Sequence, residues 1–268
     1  MSKICLITGD HPRHKHLAKV LISTGKVCSW VIEERENFTP IPSNYLEKDL
    51  NFLFKYHFSE RKRIETEVFA DSTKADKEVE VPIYIVNLKN LNNLQTVNFI
   101  KKNSPSLVIS YGCHKLNESL IKSVGVRFWN IHGGLSPNYR GVITHFWPSY
   151  FLEPQMTGIT LHETTNFLDA GEIIFQTAAP MVRGDTLHRL SARNVEVFSD
   201  QLASKIAKLD FNYIPKGNLQ KGYGRVFMAK DWRPEHLKLI YETYKDSIVD
   251  LVINGEIQGR KPELISVL

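Results

Sequence analysis

Residues 130–141 read NIHGGLSPNYRG. A carboxamide and an imidazole, Asn130 and His132, stand two positions apart after a short apolar run and ahead of a loop rich in glycine and proline. An imidazole exchanges protons near neutral pH. A carboxamide N–H can steady the oxyanion of a tetrahedral intermediate. Together they suit acyl chemistry. A third group usually orients such a histidine, and Asp169 in NFLDAGEII is the candidate, with Ala170 and Gly171 beside it permitting close approach. Each residue has a plain structural role open to it as well. Asn130 could cap a turn, His132 could be a satisfied core residue, and Asp169 before a glycine could simply turn the chain.

The elements that must position these residues follow from periodicity. The run 3–8 is a short apolar strand stopping at Gly9. The next segment places Leu17, Val20 and Leu21 on one helical face, with Gly25 as C-cap. KVCSWVIEE is a second strand, so the chain opens with a βαβ unit, the start of an α/β, doubly wound, mostly parallel sheet. Residues 36–80 break this rhythm. They read as a polar insertion with one or two helices, carrying Leu46, Leu50, Leu53 and Phe54, and RKRIE at 61–65 reads as a solvated face. Strands are expected at 81–86, 106–112 and VRFWNIH, with a helix ending before Pro105 and another capped by Asn117 or Ser119. Residues 157–164 and 171–180 look like a strand pair. A long amphipathic helix follows, capped by Asp185 or Thr186. Beyond about 210 the chain is turn-rich, and RPEHLKLIYETYKD reads as a helix with Pro234 in its first turn. The expected division is a catalytic domain over 1–208 and a small C-terminal extension over 209–268.

Composition narrows the class. The 268 residues are 42% hydrophobic and 24% charged, ordinary for a globular protein. No apolar run is long enough to span a membrane, and the N-terminal apolar stretch is too short for a signal core, so a cytoplasmic location is expected. Cys5, Cys28 and Cys113 are far apart and read as small buried apolar residues. The net charge of +5 suits a small anionic substrate as well as RNA.

Asn130, His132, the run Ser136-Pro137-Asn138-Tyr139-Arg140-Gly141 and Asp169-Ala170-Gly171, at these separations, resemble the folate-dependent formyltransferases over about residues 1–190. That family includes methionyl-tRNA, glycinamide ribonucleotide and nucleotide-sugar members. The resemblance implies a formyl group supplied by 10-formyltetrahydrofolate and no metal. It casts Asn130 as the oxyanion donor, His132 as the proton-transfer group, and Asp169 as the residue that holds His132 and takes part in proton relay. It places the folate near Ser110, Tyr111 and Gly112 and near the loop of Leu168, Ala170, Gly171 and Ile173. One departure is Gly134, where many members have serine; it is expected to alter loop packing and not chemistry.

The acceptor is read from the remaining loops. The first βα turn carries Gly9, Asp10, His11, Arg13 and His14 in place of a glycine-rich phosphate loop, and Arg13 at a helix start suits a phosphate. His11, His14 and His16 have no carboxylate cluster with them, which argues against a metal. Glu33 and Glu34 end the second strand where a dinucleotide ribose would sit, but G-x-G-x-x-G is absent, so an oxidoreductase is a poor fit. Tyr139, Arg140, His145 and Trp147 are the other acceptor-side candidates, although Arg140 also suits pinning its loop and Trp147 suits the core. The roughly 60 residues after the long helix are too short for the basic barrel that a tRNA enzyme would append. No nucleic acid is therefore expected. The loop resembles sugar-modifying members most, which implies a nucleotide-linked amino sugar, commonly a 4-amino-4,6-dideoxyhexose, in bacterial surface-polysaccharide (O-antigen) synthesis. Another small amine, a hydrolase releasing formate from the same folate, and a non-catalytic binding module are the alternatives. A homodimer is left open.

Overall fold

The computed structural model describes residues 3–37, 39–70, 79–222 and 224–268. Part of the 36–80 insertion therefore lies outside the described residues. β1 (Ile4–Gly9), α1 (Pro12–Ile22) and β2 (Val27–Glu33) form the expected βαβ unit. α2 (Lys48–Val68) follows within the insertion, then β3 (Ile83–Val86), α3 (Leu94–Lys102), β4 (Leu107–Tyr111), α4 (Glu118–Val124) and β5 (Arg127–His132). The central sheet has the order β3-β2-β1-β4-β5-β7-β8, where β7 is Ile159–Glu163 and β8 is Ile173–Thr177. The first five strands in that order are mutually parallel. β7 and β8 are antiparallel, which is the strand pair read from the sequence.

Helices cover both faces, as a parallel sheet with two apolar faces requires. α1 and α6 (Leu187–Lys208) enclose one core around Leu17, Leu21, Trp30, Phe198 and Leu202. α3 and α4 enclose the other around Ile7, Val97, Ile100 and Leu120. Local chemistry sets the helix starts. The side chain of Asn93 accepts from Thr96 N, that of Asn117 from Leu120 N, and that of Thr186 from Arg189 N. Asp185, the other candidate cap, instead accepts from Val182 N and pairs with Arg193.

A third core joins the loop after β5, with its short helix α5 (Trp147–Tyr150), to the last sixty residues. Short β6 (Tyr139–Gly141) pairs with β9 (Arg225–Phe227), and Leu135, Tyr139, Phe146 and Trp147 pack with Phe227, Leu237, Ile240 and Ile248. The chain end returns to the main sheet, where Gln176 N donates to Ile265 O and Val267 N to Ile174 O. The helix read over RPEHLKLIYETYKD is instead one short α turn, α7 (His236–Lys238), followed by a π-helical turn, Leu239–Thr243. No helix among the described residues is long and apolar enough to cross a membrane.

Candidate active site

β5 delivers Asn130 and His132 to the carboxyl end of the sheet. Strand alternation puts both on the same side. The antiparallel register then sets Asn130 opposite His162 of β7. Asp169 follows β7 in a loop with φ +46°, a left-handed conformation that a short aspartate tolerates better than most residues. Gly171 lets that loop close, because a Cβ there would lie 1.8 Å from Glu163 O. Gln220, from the C-terminal part of the chain, ties the loop down by donating to the carbonyls of Asp169 and Gly171.

The groups converge. His132 Nδ1 lies 3.3 Å from Asp169 Oδ2, and His162 Nε2 lies 3.4 Å from Asp169 Oδ1. Gly141 N donates to Asp169 Oδ2 at 2.9 Å. His132 Nε2 is 2.7 Å from the Tyr139 carbonyl, which only accepts, so Nε2 carries the proton and Nδ1 is the nitrogen that can gain one. Ser110 Oγ donates to Asn130 Oδ1 at 2.9 Å. That bond orients the amide and leaves Nδ2 as the available donor, 3.4 Å from His162 Nε2. Burial pushes His132 below the ordinary imidazole range, while the Asp169 carboxylate and the Tyr139 carbonyl oppose the shift. Burial alone would raise Asp169, but His162, His132 and the Gly141 N–H hold it below its ordinary value. The result is a neutral imidazole beside a carboxylate that can stabilise the same ring once protonated.

These groups line a cavity of about 810 Å³. Ser110, Tyr111, Gly112 and Leu168 line it too, as do His11, Arg13 and His145. Other expected contacts do not. Ile173 is a fully buried β8 residue, and Ala170 and Gly171 lie outside the lining, where Gly171 serves close packing. The Tyr139 side chain is buried and donates to Glu153, so this residue serves the site through its carbonyl. Trp147 is buried, stacks on Phe227 and donates to Val142 O. Gly9 and Asp10 shape the first turn: a Cβ on Gly9 would meet Gly112 O at 2.7 Å, and Asp10 accepts from Arg35 N. Arg140 sits in β6, away from the lining. Arg13 does reach the cavity, but Glu65 holds it with contacts of 2.9 and 3.1 Å.

Four contributors are not legible in the sequence. His162 has no motif around it, and only the β5–β7 register reveals it. Gln220 lies in a turn-rich stretch. Arg61 and Glu65, read as a solvated face, line the cavity, whereas Lys62 and Arg63 between them are exposed. Among the described residues no group of three or more His, Cys, Asp or Glu side chains could hold a metal ion.

Residues 54–205 match the sequence model of a family described as Formyl transferase. A 119-residue stretch is 31% identical to the bifunctional polymyxin resistance protein ArnA of Wigglesworthia glossinidia brevipalpis, covering 44% of this chain and 18% of that protein. The chain thus spans less than a fifth of that relative's length. In fold it is similar to the phosphoribosylglycinamide formyltransferase of Anaplasma phagocytophilum, with a TM-score of 0.55, 18% identity, and coverage of 85% of this chain and 98% of that one. It is also similar to a sugar N-formyltransferase from Shewanella sp FDAARGOS_354, with a TM-score of 0.52, 18% identity, and coverage of 89% and 87%.

Proposed function

This chain belongs to the formyl transferase family, and on that premise we propose that it carries a formyl group from 10-formyltetrahydrofolate to the amine of a nucleotide-linked amino sugar, a 4-amino-4,6-dideoxyhexose being the first acceptor to test. The observation that carries the proposal is the convergence of Asn130, His132 and Asp169 at one end of the cavity. A similar fold that bears the name sugar N-formyltransferase supports the choice of acceptor class. Such an acceptor would place the enzyme in surface-polysaccharide synthesis.

The residues present fit the folate. Gly112 to Leu116 and Thr164 to Asp169 face the cavity, and the apolar side chains of Phe167 and Leu168 are exposed beside it. A flat heterocycle with its aromatic linker would cover those side chains and reach backbone polar groups of both segments. When bound, 10-formyltetrahydrofolate supplies the electrophilic carbon. Asn130 Nδ2 donates to an oxygen gaining negative charge. His132 Nδ1 takes a proton from the attacking amine, with Nε2 held by the Tyr139 carbonyl, and gives it to the folate nitrogen as that nitrogen's bond to the formyl carbon breaks. Asp169 balances the imidazolium, and His162 shares that carboxylate on its other oxygen. Burial of these groups keeps water from diluting the electrostatics.

The test is a screen of nucleotide-linked amino sugars with 10-formyltetrahydrofolate, read by mass spectrometry as gain of one formyl group. Transfer to at least one member is expected. Formate release at the same rate with and without acceptor would mean hydrolysis. Transfer only to unrelated amines would overturn the acceptor class.

A further inference from the structure

The last residues of the chain return to the loop that carries the Tyr139 carbonyl, and they meet it at two points. At the first, Gln176 of β8 is the link. Its backbone N–H donates to Ile265 O at 2.8 Å, and Ile265 N donates to its side-chain oxygen at 3.3 Å. The Gln176 amide nitrogen donates in turn to Ser136 O at 2.7 Å and to Thr160 Oγ1 at 3.0 Å. At the second point, Arg260 reaches across to Glu153 and Asn138. Its Nε lies 2.9 Å from Glu153 Oε2, its Nη2 lies 3.3 Å from Oε1, and its Nη1 donates to Asn138 Oδ1 at 2.9 Å. A planar fork on one carboxylate fixes orientation as well as charge. Gly259 permits the approach: a Cβ there would lie 1.7 Å from Gln155 Nε2, and that amide donates to Arg260 O at 3.1 Å.

Glu153 passes the hold inward. It stands just before the short turn Pro154–Met156, and its carboxylate accepts the hydroxyl of Tyr139. Tyr139 is fully buried, with its ring stacked on Phe227 at 5.9 Å. Each polar group of this tyrosine is committed. Its N–H donates to Leu135 O at 2.8 Å, its hydroxyl donates to Glu153, and its carbonyl accepts from His132 Nε2 at 2.7 Å. Burial alone would raise Glu153, but the hydrogen bonds from Arg260 and Tyr139 hold it below its ordinary value. The group that meets the hydroxyl is therefore a charged carboxylate, 17% exposed. Without the guanidinium it gains by turning to water, and the hydroxyl is released.

We propose that Arg260 and Glu153 are positioning residues for the proton transfer assigned to His132: they hold the Tyr139 side chain, and through it the backbone carbonyl that keeps the ring proton on Nε2 and leaves Nδ1 open. This rests on the reading of His132 as the group that takes the amine's proton. Neither residue lines the cavity, and neither touches a reacting atom.

The sign of the effect follows from the groups that face the ring. Burial lowers His132, the Asp169 carboxylate and the Tyr139 carbonyl oppose that, and His162 and Arg140 add to it. His145, after β6, also faces His132 electrostatically. An Arg260 substitution leaves Asp169, His162, Arg140 and His145 untouched. The loss falls on the carbonyl, and the imidazole becomes less basic.

The test reads His132 directly and then reads turnover. Nitrogen NMR of histidine-labelled protein, with the His132 signals assigned by their absence in His132→Gln, gives the tautomer and the titration midpoint without folate or acceptor. Wild type is expected to show the Nε2–H tautomer alone. Arg260→Gln and Tyr139→Phe should each show a mixture of tautomers and a midpoint moved toward acid. Both should lower kcat by roughly three- to ten-fold, less than the loss of the acid–base group itself, with acceptor and folate KM within about two-fold. Arg260→Lys should recover part of the loss. The double variant should be no worse than the worse single, because both cut one line of contacts. Lys205→Gln is the control: it frees the chain end from α6, where Lys205 Nζ holds Ser266 Oγ at 3.1 Å and Leu268 O at 2.7 Å, and it leaves Arg260 alone. Its tautomer, midpoint and kcat should match wild type. The positioning role is overturned if Arg260→Gln keeps the wild-type tautomer and midpoint, whatever its activity, or if Lys205→Gln moves His132 as far. Its failure is separable from failure of the acceptor reading. Formyl transfer with His132 unmoved by Arg260→Gln sinks the positioning role alone. An Arg260-dependent tautomer in a protein that formylates no amino sugar sinks the acceptor reading alone.

Discussion

At the residue scale, His132 sits between the Asp169 carboxylate and the Tyr139 carbonyl, and the approach of that carbonyl depends on a glycine. A Cβ on Gly134 would fall 2.4 Å from Tyr139 O and 2.7 Å from His132 Nε2, directly against the bond that fixes the ring. Glycine at this position is therefore what the packing around that bond admits. Gly134→Ala should lower kcat by at least ~10-fold through loss of geometry, with folate and acceptor affinities held within a few-fold; an unchanged kcat would show that the loop relaxes around the methyl group. His132→Ala and Asp169→Asn should each lower kcat by at least ~10²-fold, the scale of a positioned acid–base group. Steady-state assays on folded protein, verified by circular dichroism, decide it, and near-full turnover in either variant would make these residues structural. Asn130, His132 and Asp169 were legible in the sequence because their motifs are local. His162 and Gln220 were not, since each reaches Asp169 only through strand register or a returning chain.

At the element scale, the strands and helices of the parallel half followed from apolar periodicity and from caps such as Asn93 and Asn117. α2 was the misreading. Its charged stripe reads as a solvated face, whereas Arg61 and Glu65 face a cavity. A sequence shows which residues share a helix face but not what that face meets. Trp147 is open in the sequence to two roles, stacking on a ligand or filling the core, and the core suits it better. In the fold it is wedged against Phe227 and Tyr150. Trp147→Ala should cost about 3–5 kcal/mol of stability, measured by chemical denaturation, with the acceptor KM of the remaining folded enzyme unchanged. A raised KM with little loss of stability would return Trp147 to the binding surface.

At the scale of the whole molecule, the cavity walls hold several imidazoles in neutral form. Burial pushes His145 to about 4 and His188 to about 3, and it takes His14 and His57 well below their ordinary range. Their folded-state values lie below the ordinary 6.5, so on acidification the unfolded chain takes up these protons first. The associated stability is fully present above pH 6.5 and is lost as the pH falls through the folded-state values toward 4. Asp246, which burial pushes up to about 7, and Glu196, which burial also raises, work in the opposite sense, but as two groups against several. A calorimetric Tm series across this window should fall steadily toward acid. A flat series would mean that the imidazoles are exposed or already charged in the folded protein.

Sequence by itself determined the mostly parallel α/β class, the succession of strands and helices in the parallel half and the identity of the Asn130, His132 and Asp169 group, because periodicity and a short motif are properties of neighbouring residues. Tertiary structure alone decided which side chains share the cavity. It removed Tyr139, Arg140, Trp147 and Ile173 from the lining and brought in His162, Arg61, Glu65 and His188. It also made the last sixty residues part of the site's support through Gln220 and Phe227. The physical reason is that a side chain's surroundings are set by segments far away in the chain. His57 meets Tyr241, and Arg13 meets Glu65, only after sheet and helices have packed.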